Sequence, residues 1–222
     1  MANKEILRIR ADKDQIKNMY TKLSKFYGLI EWFERQLRKK AIKFLNPSKG
    51  EIVLEIGFGR GASLVEISKA VGETGKVYGI DLTPEMIKLS KKILTKKRML
   101  NRVELREGDA RQLPYENNVF DGVYIASTLE LFDTPDIPLV LKEIKRVLKP
   151  NGKLCVVSIP KEDREKSFGV KLYEWSHRTF QKYASCRPIY VEDSIKNTGY
   201  KITKTEIIGK LFPMKIVIAM PL

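Results

Sequence analysis

Three glycines at alternate positions, Gly57, Gly59 and Gly61, follow the apolar run Val53-Leu54-Glu55-Ile56 and precede a helical pattern. Glycine permits positive φ and lets backbone approach a ligand with no Cβ in the way. The helix that follows offers free N–H groups and the positive end of its dipole. Such a loop also occurs in dinucleotide-binding proteins, where the spacing is G-x-G-x-x-G. Here the spacing is G-x-G-x-G, and Glu55 stands two residues before the first glycine. A carboxylate there suits a ligand carrying an ammonium group and would repel a pyrophosphate. Asp81 closes the next apolar run, where a carboxylate can accept both hydroxyls of a ribose. Asp109, in Gly108-Asp109-Ala110, follows the run after that and can meet the amino group of a base. Three acids at three successive strand ends thus give one ligand's amino group, ribose and base a partner each.

Positioning these groups requires strands and helices in alternation, the pattern of an α/β, doubly wound, mostly parallel seven-stranded sheet. The pattern predicts strands over 51–56, 76–80, 102–106, 120–125 and 153–159, with helices over 62–71, 84–97 and 137–148 between them. Thr83-Pro84-Glu85 reads as a helix start, with Thr83 as the cap and Pro84 in the first turn. Lys149-Pro150-Asn151-Gly152 reads as a loop. A helix over 167–184 carries two aromatic stripes, Phe168, Leu172 and Trp175 on one, Tyr173, His177 and Phe180 on the other. A short helix then stops at Gly199, and strands over 200–208 and 215–220 complete the sheet. Ahead of the sheet, Ile16, Met19, Tyr20, Leu23 and Tyr27 fall on one helical face. A break at Gly28 leads to a second helix over 31–44. Its basic side holds Arg35, Arg38, Lys39, Lys40 and Lys43.

The stretch from the glycine loop through Asp81-Leu82-Thr83-Pro84-Glu85-Met86 to Gly108-Asp109-Ala110, with Glu143 to Gly152 beyond it, resembles the class I S-adenosylmethionine-dependent methyltransferases. Within that class it is most similar to the ubiquinone/menaquinone-biosynthesis C-methyltransferase family and its small-molecule relatives. The resemblance implies a Rossmann-like methyltransferase fold over residues 50–222 and S-adenosylmethionine as cofactor. It implies that Gly57, Gly59 and Gly61 pack on the methionine part, with Glu55 near its amino group and Asp81 on the ribose. Leu82 and Met86 would flank the adenine, Asp109 and Ala110 would meet its polar edge, and Ala126 and Ser127 would line the floor beneath the sulfonium. Residues 1–49 then read as a helical lid and 160–188 as a helical insertion over the cleft. After the fourth strand, quinone methyltransferases usually carry Phe-Gly-x-Arg-Asn. This chain has Ala126-Ser127-Thr128-Leu129-Glu130-Leu131-Phe132, which argues against a quinone acceptor.

Methyl transfer from a sulfonium is a direct displacement, so alignment supplies much of the rate, and a base is needed only if the acceptor loses a proton. Candidate catalytic groups are Tyr20, Tyr27, Glu130 and the single histidine, His177. The expected reaction is methyl transfer to a small aromatic or lipid-like acceptor. A second reading is an RNA methyltransferase, suggested by a net charge of +15 and a pI near 9.7. It lacks support from motifs: no Asn/Asp-Pro-Pro-aromatic run follows the fourth strand, and Cys155 lies between Leu154 and Val156 rather than beside proline or threonine. A third is a non-catalytic S-adenosylmethionine-binding protein. Peripheral contact of helix 31–44, beside Trp32 and Phe33, with an anionic membrane is a further option. The 222 residues, 43% hydrophobic and 31% charged, suit one soluble domain with additions. No apolar run approaches the ~20 residues of a membrane-spanning helix, and no secretory leader is evident, so the expected location is cytoplasmic. The two cysteines, Cys155 and Cys186, form no metal-ligand or disulfide pattern, and no metal is expected.

Overall fold

A computed structural model describes residues 6–9, 15, 27–162, 164–179, 186–209 and 211–222, without the side chains of 27–34. The elements are α1 (Tyr27–Leu45), β1 (Ile52–Ile56), α2 (Ala62–Val71), β2 (Lys76–Asp81), α3 (Pro84–Lys96), β3 (Val103–Glu107), β4 (Phe120–Ala126), α4 (Ile137–Val147), β5 (Leu148–Ser158), α5 (Phe168–Thr179), α6 (Val191–Asn197), β6 (Tyr200–Ile208) and β7 (Met214–Pro221). Short 3-10 turns occupy Leu100–Arg102 and Leu129–Leu131. The strands form one sheet in the order β3-β2-β1-β4-β5-β7-β6. Its first five strands run parallel and β7 runs antiparallel to β5 and β6. The expected doubly wound, mostly parallel seven-stranded architecture is the one observed. The chain reverses direction across the sheet between β1 and β4, so the ends of these two strands open a crevice.

Successive residues on a strand face opposite sides of a sheet. Along β4, Val123 and Ile125 enter one core with Val140, Leu141 and Ile144 of α4 and Ile195 of α6. Tyr124, between them, enters the other, with Ala41, Ile42 and Leu45 of α1 and Leu64 and Ile67 of α2. A sheet buried on both faces explains the near-continuous apolar runs of β1, β4 and β5. Removing one such side chain, as in Leu54→Ala, costs about 2–5 kcal/mol.

Two elements differ from the sequence reading. Helix α1 begins at Tyr27 and passes through Gly28, where a break is expected. Strand β5 begins at Leu148 and includes Lys149-Pro150-Asn151-Gly152, expected to be a loop. Phe120 pairs with Leu148 and Gly122 with Lys153, so the extra residues of β5 bulge beside β4. A bulge is where a strand tolerates proline, which has no N–H to give the ladder. The expected apolar stripe Ile16, Met19, Tyr20 and Leu23 lies outside the described residues, as do Phe180 and residues 181–185.

Candidate functional site

The carboxyl ends of β1, β2 and β4 and the turn after β3 surround a cavity of about 380 Å³. Its walls include Gly57 and Gly59 from the glycine loop, Asp81, Leu82 and Met86 after β2, Asp109 and Ala110 after β3, and Ser127 after β4. Gly57, Gly59 and Gly61 have φ of 69°, 52° and 85°, left-handed values that L side chains rarely adopt. A Cβ on Gly57 would come 2.3 Å from Oγ1 of Thr128, so the glycine also allows β1 and the post-β4 turn to close up. Gly61 lines neither this cavity nor the neighbouring one. It precedes α2 and packs on Ser90, whose Oγ would lie 2.8 Å from an added Cβ.

Asp81 is buried, and its two oxygens accept different backbone N–H groups, Gly59 at 3.0 Å and Thr83 at 2.9 Å. Burial raises its carboxyl to about 6, with the Thr83 and Gly59 bonds opposing the rise. Each carboxylate oxygen keeps a second acceptor site, so the clamp on Asp81 is compatible with hydroxyls from a ligand. Thr83, the residue before α3, makes no side-chain capping bond. Ser90 Oγ donates to the Gly59 carbonyl at 2.8 Å, fixing the loop from α3.

Asp109 is held by Arg111, whose Nη2 donates to Oδ2 at 2.8 Å and whose backbone N–H donates to Oδ1 at 3.0 Å. Arg111 Nη1 reaches Asp136 at 2.8 Å, and all three residues line the cavity. The sequence reading named Asp109 without its partners. The spacing of two residues was visible, but Asp136 lies 25 residues on.

Beside the glycine loop a second, smaller pocket of about 50 Å³ shares Gly57, Gly59 and Ser127 with the first. Glu55 and Ala126 line this pocket together with Arg38 of α1 and Arg60 of the loop. The Nε atoms of Arg38 and Arg60 are buried and make no hydrogen bond. Arg38 was expected on a basic face of helix 31–44. Which side of that helix met the sheet depended on tertiary packing, and no local signal marked it.

Of the four catalytic candidates, Glu130 and His177 have described side chains. Tyr20 lies outside the described residues, and Tyr27 opens α1 with its side chain undescribed. Glu130 is fully buried in the turn after β4, and His177 is buried on α5; neither lines the two pockets described above. His177 Nε2 lies 3.2 Å from the carbonyl of Arg8. Arg8 in turn donates to Asp133 from Nη2 at 2.6 Å, and the Ile9 N–H donates to the same carboxylate at 3.0 Å. This pairing pulls the Asp133 carboxyl down to about 2. Ile9, Phe132 and Asp133 line the large cavity, so residues 8 and 9 form part of its wall. Arg187, fully buried, donates from Nη2 to the Phe132 carbonyl at 2.5 Å. Burial lowers its guanidinium to about 10 against the opposing charges of Asp133 and Glu130. Among the described residues no group of three or more His, Cys, Asp or Glu could hold a metal ion.

A methyltransferase-domain family model matches residues 53–152, from β1 into the β5 bulge. A demethylmenaquinone methyltransferase of Oceanobacillus iheyensis is 38% identical over 145 residues, covering 64% of this chain and 58% of the relative. One from Staphylococcus aureus strain JH9 is 36% identical over 148 residues, covering 64% and 59%. The chain thus spans about three fifths of the length of these curated relatives. A crystal structure of a SAM-dependent methyltransferase from Aquifex aeolicus superimposes with a TM-score of 0.64 at 24% identity, covering 96% of this chain and 100% of that one. Residues 53–152 thus match a methyltransferase domain, and the fold is that of a SAM-dependent methyltransferase. The residues of this site fit S-adenosylmethionine. Glu55 and the two arginines could face the ammonium and carboxylate of a methionine, Asp81 a ribose, and Leu82, Met86 and Ala110 the faces and edge of an adenine.

Proposed function

We propose that the chain transfers the methyl group of S-adenosylmethionine to a small aromatic or lipid-like acceptor, in the cytoplasm. The observation that carries this is the pair of joined pockets. One is predominantly apolar with the buried Asp81 at one corner and the half-buried Asp109 at another; the other sets one carboxylate, Glu55, against two guanidinium groups. A zwitterion on a nucleoside matches that charge pattern, whereas a pyrophosphate would meet Glu55 unfavourably. The bound cofactor supplies an electrophilic methyl. The chain's own residues hold it: Asp81 and the Gly59 amide orient the ribose side, and Ser127, at φ 49°, turns the backbone at the junction of the pockets. Alignment of an acceptor there, with water kept out, needs no protein base unless the acceptor must lose a proton. Residues 1–49 serve as a lid in this reading, and 160–188 as a second cover. Support comes from Ile9 in the cavity wall and from His177 of α5 meeting Arg8.

The names of the relatives make demethylmenaquinone the first acceptor to try, although the Phe-Gly-x-Arg-Asn pattern is missing. Calorimetry with adenosylmethionine and with NAD tests the cofactor, and tight NAD binding with no adenosylmethionine binding would end the proposal. Labelled methyl transfer into demethylmenaquinone, a lipid and metabolite extract, and total RNA tests the acceptor. Label entering mainly RNA would replace this reading with the second one.

A further inference from the structure

Helix α5 turns an unusual face to solvent. Phe168, Lys171, Trp175 and Arg178 follow one another at spacings of three and four, and all are exposed. Phe168 is 67% and Trp175 56% exposed, and the β6–β7 turn adds Leu211 at 55% and Phe212 at 47%. The turn and the helix are locked together. A Cβ on Gly169 would come 1.8 Å from the Leu211 carbonyl oxygen, and Tyr173 meets Phe212 edge to face at 5.9 Å. The four large apolar side chains therefore belong to one rigid surface rather than to separate loops.

The charge around this surface is one-sided. Lys166, Lys171 and Arg178 are exposed and take part in no ion pair among the described residues. Of the neighbouring acids, Glu174 is half-buried and pairs with Lys161 at 2.8 Å, and Glu165, itself exposed, accepts from the Tyr190 hydroxyl at 3.3 Å, so the cations outnumber the exposed carboxylate. Exposed apolar side chains ringed by lysine and arginine match a bilayer surface bearing anionic headgroups. A second copy of this face would bring the same cations together, which a net charge of +15 aggravates. RNA would satisfy the cations but would leave Leu211 and Phe168 without an apolar medium.

We propose that α5 and the β6–β7 turn dock this protein on anionic lipid, with Phe168, Trp175, Leu211 and Phe212 entering the interface. The docking face is the outer side of the helix whose inner side, at His177, meets the Arg8–Ile9 segment of the cavity wall. Docking would therefore bring the cavity close to the bilayer, where an apolar acceptor dissolves. The proposal does not depend on methyl transfer, because it is read by binding alone.

The test is sedimentation of the full chain with vesicles of phosphatidylcholine, with and without about 30% phosphatidylglycerol. Binding is expected to the charged vesicles, to weaken with salt, and to fall about tenfold in Phe168→Ser with Trp175→Ser, and again in Leu211→Ser with Phe212→Ser. Lys171→Glu with Arg178→Glu, which leaves the packing intact, should lower it by a similar factor. In a Trp32→Phe background the fluorescence of Trp175 should shift to the blue on charged vesicles. Adenosylmethionine affinity should be unchanged in all of these variants. Absence of vesicle binding, equal binding to uncharged vesicles, or full binding by the double variants would overturn the proposal. So would loss of self-association or of RNA binding in those variants while vesicle binding persists.

Discussion

The two sides of the large cavity are built on different principles. Its floor, where β1, β2 and β3 end, is held by backbone: Gly57 donates to Ile80 at 2.8 Å, Gly59 and Thr83 to Asp81, and Gly108 to the Asp81 carbonyl at 3.0 Å. Its upper wall is held by long side chains reaching across the chain, Arg8 to Asp133, Arg187 to Phe132 and His177 to Arg8. A floor made of backbone bonds holds its shape before a ligand arrives, and that preorganisation favours binding. A wall made of a few side-chain contacts can part at modest cost, as a cover over a reaction site must. Rigidity is concentrated where the proposed cofactor would sit, and adaptability where an acceptor would enter.

The contrast is broken most severely at Gly57. Any side chain there has to adopt a left-handed φ and displace Thr128, whose Cβ would be 2.9 Å away. Gly57→Ala should destabilise the fold by about 2–4 kcal/mol, from backbone strain and overpacking together. Adding Thr128→Ala should return part of that loss. Thermal unfolding of the single and double variants measures both, and additivity of the two changes would show that the residues do not press on one another.

Next in size is Asp81→Ala, which should weaken adenosylmethionine binding by about 1.5–3 kcal/mol through lost charge-assisted hydrogen bonds. Asp81 also has a pH signature. Its carboxyl lies near 6 in the fold, above the ordinary aspartate value, so the cost of burying its charge appears as pH rises from about 4 to 6 and is complete above that. An acid that must be ionised to accept two hydroxyls binds its ligand less well when protonated. Affinity should therefore drop about tenfold between pH 7 and pH 5, and the drop should vanish in Asp81→Ala. Calorimetry at the two pH values decides; a flat profile in the unaltered protein would remove Asp81 from the ribose.

The same contrast accounts for what the sequence made legible. Glu55 and Asp81 lie at the carboxyl ends of β1 and β2 and Asp109 two residues after β3, so their placement at one edge follows from the parallel order of these strands, and local patterning suffices to find them. Arg38, Ile9, Asp133 and Arg187 reach the site through contacts more than fifty residues apart in the chain or through the choice of a helix face, and neither leaves a periodic trace. His177 drew attention as the single histidine, yet its burial against Arg8 gives it a neighbour in the wall rather than a place in the cavity. The β5 bulge was missed because Pro150-Asn151-Gly152 carries turn residues, while pairing with Phe120 overrides their local preference.

A smaller effect is expected at the corner where floor and wall meet. Arg111→Ala removes the guanidinium that bridges Asp109 and Asp136, but the bridge is partly solvated, so stability should change by no more than about 1 kcal/mol. Binding should be more sensitive than folding, because the cavity then loses the cation that faces both carboxylates. Their charge would repel an anionic adenine nucleotide such as NAD and tolerate a cationic sulfonium. The ratio of adenosylmethionine to NAD affinity, measured before and after the substitution, should therefore rise.

The smallest change should come from the wall, at Asp133→Ala. This carboxylate receives the Arg8 guanidinium and the N–H groups of Ile9 and Thr134 at 3.0 and 2.8 Å. Arg8 is largely solvated, so its ion pair alone contributes little, and the Ile9 bond is the part that holds the wall in place. Arg8→Ala should accordingly alter cofactor affinity by less than about twofold, and Asp133→Ala by about fivefold, a difference of roughly 0.5 kcal/mol. Salt separates the two contributions, since the ion pair is screened and the backbone bond is not. Raising the ionic strength should bring the unaltered protein close to Arg8→Ala and leave Asp133→Ala distinct. Limited proteolysis near residues 6–9 supplies the second readout: added adenosylmethionine should protect the unaltered protein and fail to protect Asp133→Ala. Equal protection in both would mean that the Arg8–Ile9 segment lies against the cavity without closing it, and the lid reading of residues 1–49 would fall with it.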